Sequence, residues 1–218
     1  MIKTIYTRAL EVLMKKPLKL WGLSLLSIFL ISTLSGLCGI AIPVLGIAVG
    51  CLISTAMTMI FLKGYRGEES NTLDLFAYFK DWATAKRILL GLGWTYLWIT
   101  LWALIPFIGP IIAIVRIYEY RLVPYILVFE PEVPITEARK ISSKRTMGYK
   151  LQMWLADFVY ALIVGIALFV LAMFSVIPVL GLIFILAAFV LEVLFMVLAP
   201  LFAGLVKAAF YEEITKSL

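Results

Sequence analysis

The chain has no histidine and only two cysteines in 218 residues. Without histidine it lacks the side chain that most often serves as a general base or a metal ligand near neutral pH. It also has no glycine-rich phosphate loop, no clustered cysteines and no nucleophile elbow. We therefore predict a protein that is not an enzyme and that holds no cofactor and no metal ion.

Charged residues are also scarce. They make up 15% of the chain, whereas 64% of its residues are hydrophobic and the mean hydropathy is +1.08. This is too little polar surface for a soluble domain of this length, so we expect the bilayer to be its solvent. Because every backbone polar group in lipid must be paired internally, such long apolar runs are expected to cross the membrane as helices.

One five-residue pattern, Ile-Pro-x-x-Gly, interrupts the apolar runs three times. Proline cannot continue a helix, because it lacks an N–H and its ring clashes with the preceding turn, and glycine tolerates the backbone angles of a reversal. Each copy therefore predicts the tip of a helical hairpin. The residues of the three tips are Pro43 and Gly46, Pro106 and Gly109, and Pro178 and Gly181.

These tips predict an all-α integral membrane protein with six transmembrane helices in three hairpins. A span needs about 20 apolar residues, and the predicted spans are residues 18–40, 44–62, 88–104, 110–129, 151–174 and 182–205. An amphipathic basic segment precedes each hairpin, which predicts a surface helix in the interface plane. One membrane domain, 1–218, then contains repeat units at 1–64, 71–130 and 134–206 and a cytoplasmic tail at 207–218.

The 19 Lys and Arg residues avoid all three tips. Because cytoplasmic loops carry the basic excess, both termini and the two long loops are predicted to be cytoplasmic. Basic clusters this close to helix ends favour contact with anionic lipid headgroups rather than with nucleic acid.

Ionised side chains inside the predicted spans are the costly positions. Arg116, Glu119 and Arg121 lie in the fourth span, Asp157 in the fifth and Glu192 in the sixth. An ionised side chain at mid-helix costs about 3 kcal/mol on insertion, and each strongly apolar residue returns about 0.3 to 0.6 kcal/mol. The fourth span therefore needs protein or water around its charges.

Spacing predicts how these groups meet. Arg116 and Glu119 are three residues apart and can pair within one helix, whereas Arg121 is expected to extend to the cytoplasmic headgroups. Glu119 and Glu192 follow their tip glycines by ten and eleven residues, which places both about 15 Å below the outer surface. With Arg116 they are predicted to form one mid-membrane cluster. The first repeat offers hydroxyls at nearly matching positions: Ser54, Thr55 and Thr58.

Several motifs follow one another between Asp74 and Tyr211. They are Asp74-Leu75-Phe76 with Phe79-Lys80, Leu104-Ile105-Pro106 with Gly109-Pro110-Ile111-Ile112, Val123-Pro124-Tyr125-Ile126-Leu127, Ser142, Met147-Gly148, Lys150 and Ala208-Ala209-Phe210-Tyr211. Together they resemble the domain-of-unknown-function family nine-seventy-five, an uncharacterised bacterial family similar to the membrane domain of some glycerophosphodiester phosphodiesterases. The resemblance implies a six-span protein of the bacterial cytoplasmic membrane, and it brings no established activity and no catalytic residues.

Two functions remain open at this point. The first is transport of a small solute or ion, or lipid handling, through the polar cluster; the same buried charges are also consistent with a structural ion pair that sets helix register. The alternative is a membrane scaffold or assembly factor that docks a partner on its basic cytoplasmic helices. Membrane lipids are the expected partners in either case, together with a membrane-protein partner or a second copy of the chain.

Overall fold

The computed structural model describes residues 2–15, 17–41, 43–175, 177 and 181–216. The all-helical prediction is confirmed, since 86% of the chain is helical and the described residues contain no strand. The α-helices of this part are α1 (Ile2–Lys15), α2 (Pro17–Leu30), α3 (Gly36–Ala41), α4 (Pro43–Arg66), α5 (Ala77–Lys80), α6 (Trp82–Ala103), α7 (Gly109–Glu119), α8 (Val123–Phe129), α9 (Ala138–Arg145), α10 (Lys150–Phe174) and α11 (Gly181–Lys216).

Four helical stretches among the described residues are long and apolar enough to cross a membrane: Lys19–Ile40, Val44–Arg66, Lys150–Phe174 and Gly181–Lys216. The first runs through α2, a π-helical turn at Ile31–Ser35 and α3. In that turn the hydroxyl of Thr33 donates to the carbonyl of Phe29 at 2.6 Å. Such hydroxyl bonds to a carbonyl one turn back bend helices.

The fourth predicted span, 110–129, is not one helix. α7 ends at Glu119 and α8 begins at Val123, so their 11 and 7 residues extend only about 16 and 10 Å. Pro124 lies in the first turn of α8, where its missing N–H is tolerated, and it cannot continue α7 through this point. The prediction of a continuous fourth helix is therefore wrong.

The tip glycines are required for a different reason from the one predicted. An added Cβ at Gly46, Gly109 or Gly181 would collide with a backbone carbonyl oxygen of the preceding helical segment, that of Ser35, Trp102 or Ser175 respectively. None of the three has a positive φ; at the second tip it is Phe107 that adopts φ 63°. Close approach of two backbones thus explains all three glycines. Pro178 of the third tip lies outside the described residues.

Buried apolar side chains concentrate at one end of the bundle, here called the base. It comprises residues 52–62, 85–92, 119–130, 138–157 and 201–216, with Ile5 and Ala9 of α1 packed against it. A second region, residues 29–41, 43–50, 94–115, 158–175 and 181–198, is called the open end and exposes most of its large apolar side chains. Residues 207–216, predicted as a cytoplasmic tail, continue α11 and pack within the base, where Phe210 and Ile214 are 1% exposed.

The three predicted surface helices appear in altered form. The first is α1, as expected. The second is a 3₁₀ turn at Thr72–Phe76 followed by the four-residue α5, and it is capped at Asn71, whose backbone amide donates to a carboxylate oxygen of Asp74 at 3.2 Å. The third is α9, which begins at Ala138, four residues after the start of the predicted repeat unit, and the chain after it turns at Gly148 with φ 87°.

Candidate functional site

The gap between α7 and α8 is closed by a side chain of α9. The hydroxyl of Ser142 donates to the carbonyl of Glu119 at 2.6 Å and accepts from the amide of Leu122 at 3.3 Å. Thr146, one turn later, also directs its hydroxyl to the Glu119 carbonyl, at 3.3 Å. Ser142 and Thr146 are 0% exposed. An unpaired buried backbone group costs about 1–3 kcal/mol. By pairing the Glu119 carbonyl and the Leu122 amide, these hydroxyls stabilise the helix break within the base.

Glu119, the last residue of α7, is held by two cations. Its carboxylate pairs with Arg116, as predicted, and with Lys150. Lys150 is the first residue of α10, so Glu119 lies level with the start of that helix, within the base. Spacing could not reveal Lys150, because 31 residues separate it from Glu119.

A second ion pair joins the helix break to α10. The guanidinium of Arg121 donates to both carboxylate oxygens of Asp157, at 3.0 and 3.1 Å. Tyr118 donates its hydroxyl to the same carboxylate at 3.1 Å. The Arg121 side chain is only 7% exposed. The expectation that Arg121 extends to the headgroups is therefore wrong, because its guanidinium finds a bidentate partner inside the protein.

Glu192 does not join either pair. Its side chain is exposed, and no described residue forms an ion pair with it. It lies three residues before Phe195, whose ring stacks on Tyr160 with centroids 5.5 Å apart, and so belongs to the open end. Equal residue counts from two tips give equal depth only when the tips lie at one height, and they do not show which way a side chain faces.

A cavity of about 320 Å³ lies beside the Arg121–Asp157 pair, between α4, α6, the α7–α8 break, α10 and α11. Lys207 also lines it, as do hydroxyl groups from α4 and α6. The predicted hydroxyls of the first repeat thus reach the same place as Arg121 and Asp157. We call this the central cavity, and its hydroxyl-bearing residues include Ser54, Thr55, Thr58, Thr95, Tyr118, Tyr120 and Tyr125.

Some polar groups around the central cavity are satisfied and others are not. Thr55, Thr58 and Thr95 donate to carbonyls of their own helices at 2.7–2.8 Å, so their oxygens remain acceptors. By contrast, two buried donors have no hydrogen-bond partner among the described residues: the hydroxyl of Tyr125 and Nε of Arg121. Buried donors are seldom left unpaired in folded proteins. The cavity wall therefore carries acceptors, and two buried donors without a partner among the described residues belong to side chains that line it.

Lys207 and Tyr125 were missed as site residues by sequence reasoning. For Lys207 a signal existed, because it is an isolated cation that ends a long apolar run. For Tyr125 there was none, since a tyrosine near a helix end is typical of the membrane interface. Its ring instead stacks on Tyr211 in the base, with centroids 4.1 Å apart.

A second cavity, of about 370 Å³, lies between α1, α2 and the end of α4. Its lining is mostly apolar, and its two basic residues, Lys19 and Arg66, face two acidic ones, Glu68 and Glu69. It therefore has no net charge and less polar lining than the central cavity. We regard the central cavity as the candidate site.

Two of the four basic residues on α9 are used inside the protein. The guanidinium of Arg139 lies 5.3 and 5.2 Å from the rings of Trp94 and Trp98, within cation–π range. Arg145 forms two hydrogen bonds with the carboxylate of Glu130, one of them 2.9 Å long. These contacts fasten α9 over the helix break and leave Lys140 and Lys144 as its exposed cations.

No family model, curated protein or solved structure matches the chain. Functional inference therefore depends on the chemistry of the central cavity. Its threonine hydroxyls donate to helix carbonyls rather than to a base, so none is activated as a nucleophile. The described residues also contain no group of three His, Cys, Asp or Glu side chains able to hold a metal ion. The arrangement suits binding of a charged group.

Proposed function

We propose that this chain is a non-enzymatic membrane protein that binds a small charged solute or a lipid headgroup in the central cavity and handles it within the bilayer, as a transporter or a lipid-handling protein. The observation that carries this proposal is the Arg121–Asp157 pair beside an open, hydroxyl-lined volume of about 320 Å³. A pair that only set helix register would be better stabilised by close packing than by a cavity.

The helix break supports the same proposal. In transporters, substrate sites typically form at discontinuous helices, whose ends free backbone and side-chain groups for a ligand. Irregular backbone at membrane depth is tolerated where it is buried in protein or lines a cavity. Both conditions hold at Tyr120 and Arg121, which lie in the break and line the central cavity.

The proposal includes a topology of six crossings. α6 has 22 residues, about 33 Å, and α7 with α8 would complete a second hairpin around the break. In this topology three hairpins follow one another, each preceded by a surface helix. An even number of crossings puts both termini on the same side of a bacterial membrane, the cytoplasmic one. The shared collision geometry of Gly46, Gly109 and Gly181 supports the repeat.

Blocking the cavity tests the function. Full-length protein would be reconstituted in liposomes and assayed for transfer of a fluorescent phosphatidylglycerol between leaflets and for dissipation of a pH gradient. Thr58→Phe should abolish the activity that the unmodified protein shows, because its ring fills the cavity. Thr100→Phe, on an exposed position of α6, is the matched control and should keep it. Absence of both activities in the unmodified protein, or equal activity of the two variants, would reject the proposal.

The scaffold alternative has weaker support in this geometry. Of the four basic residues on α9, Arg139 and Arg145 are already engaged, so the surface left for a partner is smaller than the sequence predicted. Reversal of charge at Lys140 and Lys144 is the test specific to it. If that variant loses protein partners in a pull-down while liposome activity is unchanged, docking is the better account.

A further inference from the structure

We propose, building on the proposed function, that the ligand of the central cavity is an anion with a phosphate-type group, held by Lys207, Arg121 and Tyr125. Three independent observations point to this chemistry: the charge balance of the side chains that line the cavity, the unpaired donors that two of them carry, and the apolar residues of the same lining.

The charge balance favours an anion. The ionised side chains that line the cavity are Arg121, Asp157 and Lys207, two cations and one carboxylate. Arg121 and Asp157 neutralise each other through two hydrogen bonds, whereas Lys207 has no ion-pair partner among the described residues. Lys207 is exposed, so its ammonium is accessible to a ligand in the cavity. A bound anion would supply the missing countercharge.

The unpaired donors favour an anion with several oxygens. Tyr125 is 1% exposed and lines the cavity, yet its buried hydroxyl has no hydrogen-bond partner among the described residues. Nε of Arg121 is likewise unpaired, although both terminal nitrogens of that guanidinium bind Asp157. With the exposed ammonium of Lys207, three donor groups on side chains that line the cavity have no hydrogen-bond partner among the described residues. A tetrahedral phosphoryl group offers three oxygens, one more than a carboxylate, and charge-assisted bonds to it are strong.

The rest of the wall is apolar. Leu92, Ile99 and Ile117 line the cavity together with the polar groups, and Ile117 is 50% exposed. A volume of about 320 Å³ is at the small end of ligand pockets, sufficient for a phosphate with a short substituent. The same phosphate chemistry can come from the headgroup of a phospholipid, whose chains would pass Ile117, or from a free phosphate compound.

Binding measurements with full-length protein test the ligand class. The probes are inorganic phosphate, titrated into detergent-solubilised protein, and nanodiscs of phosphatidylglycerol, in which tightly bound lipid is counted after delipidation. Lys207→Gln should weaken binding of the responsive probe by about tenfold or more, the size of one lost charged hydrogen bond. Lys207→Arg, which keeps the charge, should bind within about threefold of the unmodified protein. Phosphate binding identifies a free compound, and retention of lipid alone identifies a headgroup.

Asp157→Asn provides a change of opposite sign. Among the described residues that line the cavity, Asp157 is the one carboxylate, and its removal should tighten anion binding because the guanidinium of Arg121 is then free to bind the ligand. A merely structural role for the pair would instead weaken binding of every probe. If Lys207→Gln binds both probes like the unmodified protein, the anion proposal is overturned.

The two proposals fail in distinguishable ways. Binding of tetramethylammonium that depends on Asp157 and not on Lys207 would overturn the proposal of an anionic ligand and leave the proposed function intact. Absence of phosphate and lipid binding together with absence of liposome activity would overturn both.

Discussion

The base and the open end are built from similar apolar residues but are held together differently. Of the most apolar stretch of α4, 56% is buried inside the protein, against 6% for that of α10, most of which lies in the open end. Ion pairs such as Arg121–Asp157 and Lys150–Glu119 lie in the base. So does the close approach of Gly204 to Phe61. In lipid, apolar surface alone does not drive helices together, so packing follows small residues and polar contacts.

The largest expected difference between the two regions concerns their charges. Arg121→Met leaves the Asp157 carboxylate in the base without its cation, and we expect it to lower the free energy of unfolding by about 3 kcal/mol. Glu192→Met, in the open end, should change it by less than about 0.5 kcal/mol, because Glu192 is exposed and has no ion-pair partner among the described residues. Unfolding titrations in mixed micelles measure both. Equal losses would erase the distinction between the regions.

Two glycines make the next comparison. A Cβ at Gly204 would collide with the ring of Phe61, whereas at Gly165 it would meet nothing within 4 Å. Gly204→Ala should therefore destabilise the protein by about 2 kcal/mol through overpacking. Gly165→Ala should be neutral or stabilise α10 by up to about 1 kcal/mol, since alanine is the better helix former. The same titration applies, and a loss at Gly165 would show that the open end is packed.

A smaller effect is expected at the helix break. Ser142→Ala removes the hydroxyl that bridges the Glu119 carbonyl and the Leu122 amide, and we expect a loss of about 1–2 kcal/mol. Hydrogen exchange of the Leu122 amide should accelerate as well. Ser143→Ala, at the neighbouring position on α9, is the matched control. If the Leu122 amide exchanges in both variants at the same rate as in the unmodified protein, α9 does not stabilise the helix break.

The smallest effect is a local response to pH at the start of α6. Asp81 accepts hydrogen bonds from the Thr84 hydroxyl and from the backbone amides of Thr84 and Ala83. These bonds, and the Thr84 hydroxyl most of all, hold the pKa of the Asp81 carboxyl below the usual value of 3.8. Because the folded pKa is the lower one, this contribution is present above pH 3.8 and is lost as pH falls through the folded pKa. The protection factors of the Ala83 and Thr84 amides in hydrogen exchange should fall at such acidic pH.

Asp81→Asn separates the charge from the cap. Asparagine still caps a helix, so amide exchange at the start of α6 should lose its acid dependence while protection at neutral pH persists. Unchanged acid dependence in this variant would assign the response to another group.

Local contacts were predictable from the sequence, whereas distant ones were not. The Arg116–Glu119 pair follows from a spacing of three residues on one helix. The Lys150–Glu119 and Arg121–Asp157 pairs join residues 31 and 36 positions apart, and no periodicity encodes such contacts. Glu192 shows a different limit of sequence analysis. Its place in the chain marked it as a charge within an apolar helix, but the sequence could not show that its side chain is exposed.

The sequence by itself determined that the chain is helical and that it contains apolar helices long enough to cross a membrane, because hydropathy and helix propensity act within a few residues. Only the tertiary structure decided that α7 stops at Glu119, that Ser142 closes the break, and that Arg121, Asp157 and Lys207 line one cavity. Those outcomes depend on which helices approach each other, and in a bilayer that choice is made by close packing and paired polar groups, which depend on the whole fold.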